Sequence, residues 1–103
     1  MEDKTKQKIE EMIKNHRVFL FMKGEPNAPA CTFSSVATAI LNNLHADYGS
    51  CDVLENPEIR GAIKEYSDWP TIPQLYIEGK FIGGSDIMQE LFKNGELQGM
   101  LKS

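Results

Sequence analysis

One cysteine, in the stretch PACTFS at residues 29 to 34, is the residue best suited to covalent or metal chemistry. A redox motif of the C-x-x-C type would carry a second thiol at position 34, where this chain has Ser34. Cys31 can therefore act as a nucleophile or a metal ligand, but it has no thiol at that spacing with which to form a disulfide. The other cysteine, Cys51, is far along the chain, and two cysteines are too few for a disulfide framework, which favours a reducing compartment.

The residues around Cys31 predict that it stands at the N-terminus of a helix. The run VFLFM, residues 18 to 22, is typical of a strand buried on both faces. A loop with Gly24, Pro26 and Pro29 follows, and apolar residues then recur at helical spacing from Phe33 to Leu44. Free N–H groups and the helix dipole at such a position favour a thiolate, the reactive and metal-binding form. A buried structural cysteine is the alternative, but the prolines and polar residues beside Cys31 argue for exposure.

The remaining elements predict one α/β domain over residues 1–103. Helical or extended patterns cover residues 5 to 15, 18 to 22, 33 to 44, 47 to 54, 57 to 66, 74 to 78, 80 to 83, 85 to 92 and 97 to 101. The first strand, helix and strand form a parallel, right-handed βαβ unit, and the last two strands form an antiparallel hairpin around Gly79. We therefore expect a mixed four-stranded sheet with helices on both faces, an α/β sandwich.

Composition excludes two classes of partner. The formal net charge is −4 and the basic residues are not clustered, so nucleic acid is not expected. No apolar run reaches the roughly 20 residues that span a bilayer, so no membrane association is expected. The charged start MEDKTKQKIEEM does not resemble a signal or transit peptide, which predicts a cytoplasmic protein, or a mitochondrial one if a leader has been removed.

Two long stretches of the chain, VFLFMKGEPNAPACTFS and IRGAIKEYSDWPTIPQLYIEGKFIGGSDI, resemble the monothiol glutaredoxins, which have the thioredoxin fold. The usual active-site sequence of that family is Cys-Gly-Phe-Ser, so Thr32 is a departure. The resemblance implies a protein that binds glutathione, holds a [2Fe–2S] cluster between two subunits and passes it to iron–sulfur acceptor proteins. It also implies that any reductase activity is feeble.

Counting thiolate ligands agrees with this implication. A [2Fe–2S] cluster needs four thiolates, and the spacing between Cys31 and Cys51 matches no ferredoxin pattern. If only Cys31 binds, two chains supply two thiolates and two glutathiones supply the rest, which closes the count in a two-fold homodimer. A thiol at position 34 would attack a mixed disulfide of Cys31 and expel glutathione, whereas Ser34 cannot.

The resemblance also assigns a glutathione site. Lys23 would reach the glycyl carboxylate and the Cys31 thiolate, and Arg60 matches the second carboxylate-binding cation, although either residue can instead be an ordinary surface charge. In WPTIP, residues 69 to 73, the resemblance implies a cis peptide bond before Pro73, with the backbone of Thr71 and Ile72 contacting the peptide of glutathione. The alternative for this segment is a simple turn into an edge strand.

Residues 83 to 86, GGSD, complete the predicted site. Two glycines permit close approach of the backbone, and the N–H groups of Ser85 and Asp86 at a helix start suit the γ-glutamyl carboxylate. The Asp86 side chain would pair with the ammonium group, whereas the plain alternative is a helix cap. We interpret Trp69 as a partly buried core aromatic and Cys51 as structural. His16 and His45 have no ligand partners nearby in the sequence and are interpreted as surface residues.

Three classes of function stay open at this point. The first is an iron–sulfur carrier. The second is a glutathione-dependent oxidoreductase in which Cys31 attacks a glutathionylated sulfur, and the third is a regulatory module that has kept only the fold. The β-branched side chain of Thr32 can crowd the dimer contact or leave it intact, and the sequence does not decide between these outcomes.

Overall fold

The apolar run at residues 18–22 forms the central strand of the fold, and all five of its side chains are buried. In the computed structural model, which describes residues 1–102, the helices are α1 (Asp3–Asn15), α2 (Thr32–Asn43), α3 (Pro57–Ser67), α4 (Ser85–Lys93) and α5 (Glu96–Leu101). The strands are β1 (Val18–Met22), β2 (Gly24–Glu25), β3 (Ala28–Pro29), β4 (Gly49–Asp52), β5 (Gln74–Ile77) and β6 (Lys80–Gly83).

Strands β1, β4, β5 and β6 form the predicted mixed four-stranded sheet, in the order β4-β1-β5-β6. Strand β1 runs parallel to β4 and antiparallel to β5, and β5 pairs with β6 as the predicted hairpin. The predicted α/β sandwich of the thioredoxin type, a sheet flanked by helices, is therefore confirmed.

The alternating side chains of β1 divide the core into two halves, because successive residues of a strand point to opposite faces. Phe19 and Phe21 pack with residues of α1 and α3 on one face of the sheet. Val18, Leu20 and Met22 pack with residues of α2, α4 and α5 on the other. Both faces of β1 are thus covered, which explains why its sequence is continuously apolar.

The segment between β1 and α2 is more ordered than the predicted loop. Strands β2 and β3 pair antiparallel across a turn at Pro26 and Asn27, and the Ala30 N–H donates to the Lys23 carbonyl at 2.9 Å. Gly24 has a φ of +86°, and a Cβ there would lie 2.5 Å from the Ala28 carbonyl oxygen. Each strand has only two residues, so no alternation of apolar residues could indicate them in the sequence.

Three local features complete the frame. The Ile72–Pro73 peptide bond is cis, as the resemblance implied. The residue that precedes α4 is Gly84, so Ser85 is the first residue of the helix rather than its cap. Among the helices of residues 1–102, none has the length and apolar character needed to cross a bilayer.

Candidate functional site

Cys31 occupies the N-cap position of α2, between the β2–β3 hairpin and the helix. Its backbone is extended, with φ −152° and ψ 160°, as is usual for a residue that precedes the first turn. The Sγ atom accepts a hydrogen bond from the Ser34 N–H at 3.4 Å and one from the Ser34 hydroxyl at 3.3 Å. The cysteine thus takes the place of the usual oxygen-bearing cap, and its sulfur is only partly exposed.

Ser34 orients the sulfur through a fixed proton. Its side chain is completely buried, and its Oγ accepts the Lys23 N–H at 3.0 Å. Because a hydroxyl has one proton and Oγ already accepts from Lys23, that proton is free to point at the sulfur. From the sequence, Ser34 was interpreted only as a missing thiol. Its position three residues after the cap, where a helix N–H commonly bonds to the cap side chain, is the signal that could have revealed this role.

The surroundings of Cys31 lower the pKa of its thiol. Burial raises the pKa, but the Ser34 hydroxyl, the Ser34 N–H, the Lys23 charge and the Phe33 N–H each lower it, and together they outweigh burial. The direction is the one predicted from the helix N-terminus and from Lys23. A larger fraction of Cys31 is therefore thiolate at neutral pH than in an ordinary cysteine.

A groove of about 340 Å³ begins beside Cys31 and brings together three distant segments of the chain. Its lining residues are Lys23, Phe33, Lys64, Trp69, Pro70, Thr71, Ile72, Pro73, Gly84, Ser85, Asp86 and Ile87. Six of the predicted site residues line this groove at one end of the sheet, namely Lys23, Thr71, Ile72, Pro73, Ser85 and Asp86. Cys31 is not among the lining residues, but it lies next to two of them, Lys23 and Phe33.

Arg60 is the exception among the predicted site residues. It lies in α3 but does not line the groove, whereas Lys64, one helical turn later, does. Lys64 is closer to the end of α3, and its carbonyl accepts the Trp69 N–H at 3.1 Å, which ties it to the segment that forms the groove wall. Sequence spacing alone does not distinguish the two cations, because residues four apart lie on the same face of a helix.

Trp69, predicted as a partly buried core aromatic, is not a core residue. It is 37% exposed, lines the groove and packs against Phe81 with a ring-centroid distance of 5.7 Å. Phe33, two residues after Cys31, is 59% exposed and also lines the groove. The two aromatic side chains give the groove an apolar lining beside its charged residues.

The groove is lined by side chains of both charges. Lys23 and Lys64 supply the cations, whereas Asp86 stands in the first turn of α4. The start of α4 packs closely on the segment that contains Pro73. A Cβ at Gly84 would lie 3.2 Å from the Pro73 carbonyl oxygen, which leaves little room for a larger residue. This arrangement suits an extended ligand with a carboxylate at each end and an ammonium near Asp86.

Cys51 and the two histidines lie outside the groove. Cys51 is buried in β4, in the half-core that includes Phe19 and Phe21, and burial followed by the charge of Asp52 raises the pKa of its thiol. His16 stacks on Phe19 with ring centroids 5.5 Å apart. Within residues 1–102, no group of three or more His, Cys, Asp or Glu side chains could hold a metal ion.

Comparisons with known proteins agree on one family. The glutaredoxin family model matches residues 18–82. An uncharacterized monothiol glutaredoxin, ycf64, of Porphyra purpurea is 53% identical over all of this chain and 96% of its own length.

Two solved structures resemble the chain closely. The solution structure of reduced poplar apo GrxS14 has a TM-score of 0.81 and 48% identity, covering 91% of this chain and 86% of that one. The crystal structure of a buckwheat glutaredoxin–glutathione complex has a TM-score of 0.84 and 25% identity, covering 98% of this chain and 93% of the other. With its single thiol before Ser34, the chain therefore belongs to the glutaredoxin family, among the monothiol glutaredoxins.

Proposed function

We propose that this chain, acting as a single glutaredoxin domain, binds glutathione and carries a [2Fe–2S] cluster shared by two subunits for delivery to iron–sulfur acceptor proteins. The observation that carries the proposal is that Cys31, whose pKa is lowered, lies next to a groove lined by Lys23, Lys64 and Asp86. The compartment that we propose is a reducing one, because both cysteines must remain thiols.

The charges of the groove support glutathione as the ligand. The glycyl carboxylate would pair with Lys23 or Lys64, and the γ-glutamyl carboxylate would accept from the N–H groups of Ser85 and Asp86. The ammonium group would pair with the Asp86 carboxylate. The backbone of Thr71 and Ile72, which lies between these ends, would bind the peptide in the middle of the ligand. The buckwheat glutaredoxin to which this chain is similar was solved as a complex with glutathione, which supports glutathione as the ligand here.

The number of available thiolates supports a shared cluster. Cys31 is partly exposed with a lowered pKa, whereas Cys51 is buried with a raised one, so a chain offers one suitable thiolate. Two copies of Cys31 and two glutathione thiolates would complete the four ligands of the cluster. The bound cluster is the cargo, and the chain's own contribution is to hold glutathione and to keep Cys31 ionised.

Thr32 bears on the dimer rather than on glutathione. Its side chain is exposed and does not line the groove, so a glycine at this position is not required for ligand entry. Since Thr32 directly follows Cys31, its methyl and hydroxyl groups would face the second subunit or the cluster. We therefore propose that Thr32 tunes the strength of the cluster-bridged homodimer.

The lowered pKa of Cys31 also favours a second activity, glutathione-dependent reduction. The Cys31 thiolate would attack the glutathionyl sulfur of a mixed disulfide and release the substrate's thiolate, leaving Cys31 bonded to glutathione. A second glutathione thiolate would then attack that sulfur, which frees Cys31 and forms oxidised glutathione. Without a thiol at position 34, the chain cannot take the intramolecular route.

Reconstitution with iron, sulfide and glutathione under anaerobic conditions tests the carrier function. We expect visible absorbance and a dimer for the wild type, loss of both for Cys31→Ser, and retention of both for Cys51→Ser, as read by absorbance and sedimentation. Removal of glutathione should return colourless monomers. A wild-type protein that holds a cluster without glutathione, or a Cys51→Ser variant that holds none, would contradict the ligand count.

A further inference from the structure

A buried side-chain amide stands directly behind the groove wall. Gln74, the first residue of β5, has no exposed surface. Its Nε2 donates one hydrogen bond to the Trp69 carbonyl and another to the Thr71 carbonyl, both at 3.2 Å. The two protons of the amide are therefore both used on the segment that carries the groove-lining residues.

The other side of this amide is held by the core. The Tyr76 hydroxyl donates to Gln74 Oε1 at 3.4 Å, and Tyr76 is itself almost fully buried. Burial raises the pKa of Tyr76 to about 12, so its hydroxyl keeps the proton that it donates. The bond determines which end of the amide carries nitrogen, and the nitrogen consequently faces the two carbonyls.

Fixing the Thr71 carbonyl also fixes the direction of the next N–H. The Thr71–Ile72 peptide bond is trans, because the cis bond is the one between Ile72 and Pro73. In a planar trans peptide the C=O and N–H point in opposite directions. With the Thr71 carbonyl turned to the buried amide, the Ile72 N–H points in the opposite direction, and both residues line the groove. Across residues 1–102 no backbone or side-chain group accepts this N–H.

We propose that Gln74 is a positioning residue, whose buried amide holds the Trp69 and Thr71 carbonyls inward and thereby presents the Ile72 N–H and the Trp69 ring to a peptide ligand. The part that concerns glutathione rests on the proposed function, whereas the part that concerns the wall does not. A ligand carbonyl would accept the Ile72 N–H without first having to reorient the wall.

Gln74→Met tests the proposal, because it keeps the length of the side chain and removes both donors. Gln98→Met is the matched control: the same change at a partly buried residue of α5, which lines a different cavity. Tyr76→Phe is the milder second variant, since it retains both donors and removes only the bond that orients the amide. Thermal unfolding followed by circular dichroism identifies a temperature at which each variant is folded, and urea unfolding gives its free energy of unfolding.

The single tryptophan gives a readout that needs no ligand. We expect Gln74→Met to show a red-shifted emission and a larger acrylamide quenching constant for Trp69, with Gln98→Met unchanged. Calorimetric titration should find glutathione affinity reduced about tenfold in Gln74→Met and about threefold in Tyr76→Phe, because the Ile72 N–H is no longer held in one direction. The pKa of Cys31, from alkylation rates, should stay at its wild-type value.

Two results would overturn the proposal. One is wild-type quenching and wild-type affinity in folded Gln74→Met, and the other is an equal loss in Gln98→Met. Altered quenching with unchanged affinity would overturn the ligand part. If Gln74→Met does not fold, the same comparison is made with Tyr76→Phe. Wild-type protein that binds no glutathione would contradict the proposed function instead, and the quenching comparison would then decide the role of Gln74 in the wall.

Discussion

Cys31 and Cys51 belong to the same βαβ unit, one at the start of its helix and the other in its second strand, yet their environments are opposite. Cys31 is partly exposed, accepts two hydrogen bonds from Ser34 and lies near a lysine. Cys51 is 8% exposed, packs among apolar side chains and has Asp52 beside it. The pKa of the first is lowered and that of the second is raised.

This contrast shows that thiol chemistry in the chain is decided by donors and charge rather than by residue type. Burial raises the pKa at both sites, and only Cys31 has compensating interactions. A helix N-terminus supplies free N–H groups, whereas a strand in a paired sheet uses its N–H groups in the ladder.

Differential alkylation tests the contrast most directly. Under native conditions iodoacetamide should label Cys31 about a hundredfold or more faster than Cys51, because Cys51 reacts only when the structure opens. The rate for Cys31 should inflect below the ordinary cysteine pKa of ~8.5. Mass spectrometry of digested samples gives both rates, with protein in urea as the control in which the two thiols should react alike. Equal labelling rates of the two thiols in the native protein would refute the assignment of Cys31 as the reactive thiol and Cys51 as the unreactive one.

Removing a charged side chain from the groove next to Cys31 should weaken ligand binding. Lys23→Ala and Asp86→Ala should each weaken glutathione binding by about tenfold, because each leaves a charged group of the ligand without its partner. Lys14→Ala, in the last turn of α1, is the control for a lost surface charge. Calorimetric titration measures all three, and wild-type affinity in both groove variants would show that the ligand binds elsewhere.

The two cations of α3 give a sharper version of the same experiment. Lys64→Ala should weaken glutathione binding more than Arg60→Ala, because Lys64 lines the groove and Arg60 does not. The Lys64 effect should be smaller than that of Lys23, which also acts on the Cys31 thiolate. A larger loss in Arg60→Ala would indicate that Arg60 binds a carboxylate of the ligand, as the resemblance implies.

Ser34→Ala should raise the Cys31 pKa by about one unit, because a hydrogen bond to a charged group contributes about 1.5–3 kcal/mol and the Ser34 N–H remains. Ser35→Ala, an exposed neighbour in the same helix turn, is the control and should leave the pKa unchanged. The pH dependence of alkylation measures both. An unchanged inflection in Ser34→Ala would mean that the hydroxyl does not donate to the sulfur.

Cys51→Ala should have the smallest effect, a loss of about 1 kcal/mol in the free energy of unfolding from the shortened buried side chain. Since the folded pKa of Cys51 is raised, its contribution is present below the unfolded pKa and is lost as the pH rises through the folded value. The difference between wild type and variant should therefore shrink in alkaline solution. Urea unfolding at neutral and alkaline pH measures it, and a difference that grows with pH would contradict the sign.

The sequence predicted the large elements well because their signals are strong. The continuous apolar run of β1, the helical stripe of α2 and the glycine of the β5–β6 turn each indicate one structure. It did not predict the β2–β3 hairpin, whose strands are too short for any periodicity. Helix α1 begins after Glu2, which makes no side-chain cap hydrogen bond, and Thr5 is buried in the helix.

The sequence predicts a site residue where the residue type itself indicates the chemistry. It does not predict one whose role depends on its position in the folded chain. Cys31, Pro73 and Asp86 are conspicuous in the sequence, and the fold brings the segments that carry them to one end of the sheet. The sequence predicts Trp69 as a partly buried core aromatic, whereas the structure leaves it 37% exposed, because only the fold decides that its segment lines the groove. Gln74 had no sequence signal, because its role depends on carbonyl groups that only the folded loop turns towards it.

The β2–β3 hairpin fixes the distance between the end of β1 and the start of α2. That distance therefore does not depend on the length of the turn at the tip of the hairpin. The Ala30 N–H closes on the Lys23 carbonyl at 2.9 Å, and the pairs Gly24–Pro29 and Glu25–Ala28 seal the segment above that bond. Only the tip, Pro26 and Asn27, extends beyond these pairs, and loop tips are where chains accept insertions. A peptide label or fluorescent reporter spliced between those two residues would leave Cys31 in place, so the hairpin is a built-in attachment point beside a reactive thiol.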